Sequence, residues 1–121
     1  MKLHNLVESY LLNEKLSQEE VNEYVQEYFI HEFMYIYGLI EDLTRHQTYQ
    51  RIVKELVKQD KRFSNIVAIV DNFVKDNETK YPPETLADAL QRYLIKQGCD
   101  AQIIEDAFEK FKKEELNNEQ D

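Results

Sequence analysis

Between Tyr28 and Ile40 the chain reads YFIHEFMYIYGLI, and on a helical wheel this stretch is apolar almost all the way round. Val21, Val25, Phe29, Ile36, Leu39, Ile40 and Leu43 form one stripe, while Ile30, Met34 and Tyr37 fall on the far side. A helix apolar on nearly every side has to be surrounded, by its own neighbours or by a partner chain. Its start is well marked. Ser17 is suited to cap the first free amides, Glu20 completes a capping box three residues on, and Leu16 with Val21 supplies a hydrophobic staple. The spacing predicts one helix over residues 18–43, with Gly38 inside it as a kink or a close helix crossing.

The rest of the chain must supply the sheath, and its periodicity is helical throughout. Leu3, Leu6, Val7, Tyr10 and Leu11 share one face of an N-terminal segment over 3–14. Residues 49–58 turn Ile52, Val53, Leu56 and Val57 inward, and Asp60-Lys61-Arg62 reads as a turn. The run Ile66-Val67-Ala68-Ile69-Val70 would suit a strand, but no other segment offers it a pairing partner, so 63–75 reads as a helix. Residues 76–82 form a loop, Pro83 suits the first turn of a further helix, and Gly98 stops it. Asp100 then caps a last helix that presents Ile103, Ile104, Ala107, Phe108 and Phe111. With 2 glycines and 2 prolines in 121 residues, the composition argues strongly against sandwiches, barrels and phosphate-cradling glycine loops. The expected fold is all-α: a compact bundle of five or six helices with a long central second helix and a C-terminal helical hairpin. Residues 1–113 form a single helical domain, with room for a division near 76–83, and 114–121 form a frayed acidic tail.

Charge narrows the function classes. The formal net charge is −9, and it is unevenly spread: 1–32 and 77–121 are acidic, while 48–76 is mildly basic. An acidic protein is repelled by nucleic acid and by anionic lipid, so direct nucleic-acid binding is not expected. The basic stripe of Arg51, Lys54, Lys58 and Lys61 is diluted by Glu55 and Asp60. No stretch approaches the roughly 18 apolar residues that span a bilayer, and the N-terminus lacks the pattern of a signal peptide. The single cysteine, Cys99, cannot form an internal disulfide, which points to a reducing cytoplasm.

Catalytic and metal constellations are missing from the pattern. His4, His31 and His46 are scattered, Glu-x-x-His and His-Glu-x-x-His are absent, and one cysteine cannot build a structural zinc site. Cys99 and the serines lack a nucleophile context. We therefore expect no enzyme activity, no metal and no cofactor. Glu32 is the unusual carboxyl, because the wheel places it inside the apolar stripe, where burial would raise its pKa. It is a candidate buried acid, either structural or at the base of an interhelical pocket.

Tyr24, Tyr28 and Tyr35 share a flank of the 18–43 helix with His31 at its edge, and tyrosine suits protein–protein contact. The expected function is therefore that of a small cytoplasmic protein acting as regulator, adaptor or inhibitor by binding another protein, and the acidic ends would steer it to a basic one. Tyr24, Tyr28, His31 and Tyr35 would meet the partner, and self-association through the same helix is one version of the idea. The alternative is an acidic nucleic-acid mimic that occupies the DNA channel of a restriction or CRISPR nuclease. Glu19, Glu20, Glu23 and Glu27 would then imitate a phosphate track.

Overall fold

The computed structural model describes residues 17–40 and 43–116. Five helices follow one another: α1 (Gln18–Ile36), α2 (Leu43–Gln59), α3 (Lys61–Asn77), α4 (Pro83–Lys96) and α5 (Ala101–Phe111). A π-helical turn, Lys112–Leu116, continues α5. No strand occurs among the described residues, so the β-branched run of 66–70 is helical. The expected helix over 3–14, and the tail beyond 116, lie outside the described residues. Glu114 and Glu115 lie in the π-helical turn.

The ends of these helices follow local chemistry. Ser17 Oγ accepts from the Glu20 amide at 3.1 Å, and Glu20 Oε1 accepts from the Ser17 amide at 3.1 Å, which closes the capping box. Replacing Ser17 with alanine is expected to cost about 1 kcal/mol, read as a lower urea midpoint at unchanged slope. Asp60 and Asp100 cap α3 and α5 through their side chains. Asp60 is also the single residue between α2 and α3, so the expected three-residue turn contracts to one position.

The long central helix is not observed, because α1 stops at Ile36. The Gly38 amide donates to the Tyr35 carbonyl and the Leu39 amide to the Met34 carbonyl, at 3.0 and 2.9 Å. With Gly38 at φ 70°, this is a Schellman cap, which a glycine enters without steric cost. Gly38 is therefore a terminator and not a kink. Gly98 (φ 95°) ends α4 in the same way, with the Cys99 amide donating to the Leu94 carbonyl at 3.0 Å.

α1 supplies eight of the buried side chains, Val21, Tyr24, Val25, Tyr28, Phe29, Ile30, Phe33 and Ile36. It packs most extensively on α5 and also rests on α4, where Ala107 and Ala87, both fully buried, let the backbones approach. Phe33 meets Phe108 edge-on at 5.0 Å and Phe111 at 5.7 Å. The remaining contacts follow chain order: α2 lies on α3, and α3 on α4. On the side facing α2 and α3, α1 is held by large rings. Tyr28 stands edge-on to Phe63 at 5.6 Å, and Tyr49 lies flat on His31 at 3.5 Å. Such bridging by long side chains leaves a groove between the three helices.

Candidate functional site

The groove follows α3. Two adjoining cavities of about 480 and 560 Å³ share Glu32 of α1, Gln50 of α2 and Asp71 of α3. A third, of about 300 Å³, extends the first past Tyr35, Val74 and Glu78 to Tyr81 and Pro83 at the start of α4. The inner end has apolar walls from Val53, Val57 and Val67, with Lys54 and Lys58 at its rim. The outer end is flanked by Tyr35 and Tyr81, which are 44% and 45% exposed.

Of the two carboxyls that line this groove, Glu32 is half-buried and Asp71 is exposed. Glu32 lies one turn after Tyr28 on α1, and Asp71 lies one turn after Val67 on α3. Neither carboxyl has a hydrogen bond or ion pair among the described residues. Part of the Glu32 side chain reaches the groove surface. Its carboxyl is nonetheless largely withdrawn from water, and burial first, then the Asp71 carboxylate, pushes its pKa to about 7. Asp71 is raised by burial too, a shift that Lys75 opposes. The hydroxyls of Tyr28 and Tyr49 are buried without a hydrogen-bond partner. Burial, and then the nearby acids, hold both phenols protonated.

Beside the acids, a row of rings crosses from α1 to α2. His31 Nε2 and His46 Nδ1 are 3.2 Å apart, and the two rings are within 7° of coplanar. With centroids 5.5 Å apart they meet edge to edge through that hydrogen bond. Tyr49 covers His31, and Tyr35 lies nearly parallel to His46 at 5.6 Å.

The tyrosine face expected from the sequence is thus divided. Tyr35 is exposed and His31 is partly covered, but Tyr28 is 1% exposed and Tyr24 9%. Tyr24 and Tyr28 are core residues, because their rings recover more from packing in the core than from solvent contact. Glu32 is one of the residues lining the two adjoining cavities. Tyr49, His46, Asp71 and Tyr81 complete the groove and were not singled out by the sequence. Of the acidic face, Glu19, Glu20 and Glu23 are exposed, whereas Glu27 accepts an ion pair from Lys110 Nζ at 3.6 Å.

Burial raises the Cys99 thiol above its ordinary pKa, opposite to the lowering that the start of a helix brings. Among the described residues, no group of three or more His, Cys, Asp or Glu side chains is placed to hold a metal ion. No described helix is long and apolar enough to cross a membrane. No protein-family model, no curated protein and no solved structure matches the chain.

Proposed function

We propose that this chain is a non-enzymatic binding protein, a regulator, adaptor or inhibitor, and that a segment of another protein occupies the groove along α3. The observation that carries this reading is the continuity of the groove, with Tyr35 and Tyr81 exposed on the flanks of its open end. Exposed tyrosines supply rigid apolar area at low entropic cost and keep a polar tip, and they are enriched where proteins meet. The acids on the floor favour a basic segment. The lone cysteine, Cys99, suits a partner met in the cytoplasm.

Several features weigh against the nucleic-acid mimic. Glu20 is engaged in the capping box and Glu27 is paired with Lys110, which leaves Glu19 and Glu23 as the open part of the track. The experiment is a stoichiometric capture from the native host, followed by affinity measurements on the purified complex. The double variant Tyr35→Ala, Tyr81→Ala is expected to weaken the complex by roughly 100-fold or more while leaving the fold intact. The complex should also persist at high salt. Capture indifferent to both tyrosines, but lost on Glu19→Gln with Glu23→Gln and falling steeply with salt, would establish the mimic instead.

A further inference from the structure

A second groove opens at the N-terminal end of α1. It is a cavity of about 310 Å³, lined by Val21, Val25 and Phe29 of α1, Ile66 of α3, and Cys99 and Ile103 at the start of α5. The three α1 side chains are buried, whereas Ile66, Cys99 and Ile103 are half-buried, so the open rim of the groove is apolar on both the α3 and the α5 side. It shares no lining residue with the groove along α3.

We propose that the chain's own N-terminal segment, residues 3–14, lies in this groove as an amphipathic helix antiparallel to α1. The point of attachment favours it. Ser17 is the N-cap of α1, and Gln18, the next residue, lines the groove. The staple expected between Leu16 and Val21 sets the angle at which the chain enters α1, and Val21 is a groove residue. Lys15, Leu16 and Ser17 make a connection of the length that joins antiparallel helices. The lengths agree as well. Residues 3–14 and the α1 wall from Gln18 to Phe29 each extend about 18 Å as helix.

The chemistry of the segment fits the groove. Leu3, Leu6, Val7, Tyr10 and Leu11 share one face, with Asn5 and Ser9 opposite. A helix this short is marginal alone and depends on packing its apolar face against something. The other occupants fit less well. Residues 117–121, NNEQD, carry no apolar side chain, and they follow the far end of α5 from Cys99 and Ile103. A second copy of the chain needs roughly 800 Å² on each side for a stable complex, far more than this handful of side chains offers. A tethered segment needs no such area, because its attachment at Ser17 supplies a high effective concentration.

Cys99 is the chain's single cysteine and lines the groove, so it reports the occupant in the intact protein. The first measurement is the rate of Cys99 alkylation by iodoacetamide at fixed pH. Leu6→Gln with Tyr10→Gln is expected to speed it by roughly ten-fold or more, because the segment no longer holds its place. Asn5→Ala with Ser9→Ala, on the opposite face, should leave the rate unchanged. A rate indifferent to Leu6→Gln with Tyr10→Gln would overturn the proposal.

A second measurement separates release of the segment from loss of the fold. Single cysteines are placed in the full chain on the apolar face, as Leu3→Cys, Leu6→Cys or Tyr10→Cys, and on the polar face, as Asn5→Cys or Ser9→Cys. Mild oxidation should join Cys99 to the apolar-face positions within one chain, and not to the polar-face positions. Equal yields from both faces, or none from either, would show that the segment is not seated in the groove. Disulfides that link two chains, and increase with protein concentration, would assign the groove to a second copy instead.

Discussion

A glutamine in place of Glu32 is expected to make the protein more stable at pH 8 and to flatten the dependence of its stability on pH. In the folded chain Glu32 titrates at about 7, against an ordinary value of 4.5. Between those values the folded state holds a proton that the unfolded chain has released. The contribution of this group therefore favours folding fully below about pH 4.5, and is lost as pH rises through 7. A displacement of that size corresponds to about 3 kcal/mol, and solvent at the cavity mouth reduces it to about 2. Glutamine carries no charge to bury and can donate to Asp71. Urea unfolding of both proteins at two pH values measures the effect. The gap should be small near pH 5 and open in favour of the variant near pH 8. Parallel curves would mean that Glu32 is well solvated in the folded chain.

Truncating Phe33 to alanine is expected to be the most damaging single change in the molecule. The ring is fully buried, and it sits where α1 meets α5, between Phe108 and Phe111. Removing it forfeits the transfer energy of the ring and leaves a cavity that two large aromatic neighbours cannot collapse into without leaving their own rotamers. Changes of this kind cost about 3–5 kcal/mol. The total stability of a domain this size is about 5–15 kcal/mol, so much of the margin disappears. Denaturant unfolding should show a large drop in midpoint. A drop under about 1 kcal/mol would indicate that the α1–α5 contact is not tightly packed.

What the sequence revealed depended on how locally each feature is encoded. The Ser17–Glu20 box is a four-residue motif, and both of its hydrogen bonds form where expected. Gly98 was legible as a stop because Cys99 and Asp100 follow, and Asp100 opens the next helix. Gly38 uses the same backbone device but is followed by Leu39 and Ile40, which continue the apolar period and disguise the break. Leu39 packs against the core even though the helix has ended, so its burial reads like helical burial.

The division among the tyrosines was illegible for a different reason. A phenol suits both a core edge and an interface, and the wheel angle of Tyr28 gives no hint that Phe63 lies against it. Glu32 stood out because few structures tolerate a carboxyl in an apolar stripe. Asp71 and His46 did not, since each is an ordinary boundary residue on its own helix. Only the meeting of three helices gives them company.

The clasp of Phe33 on Phe108 and Phe111 joins parts of the chain that are far apart in sequence, whereas α2 with α3 and α3 with α4 meet through short joints. Its consequence is kinetic. Neighbouring helices can zip together with little loss of chain freedom, but seating α1 on α5 means closing a loop that contains all the rest of the bundle. The search for that long-range pairing, and not the making of any single hairpin, is where the folding barrier belongs.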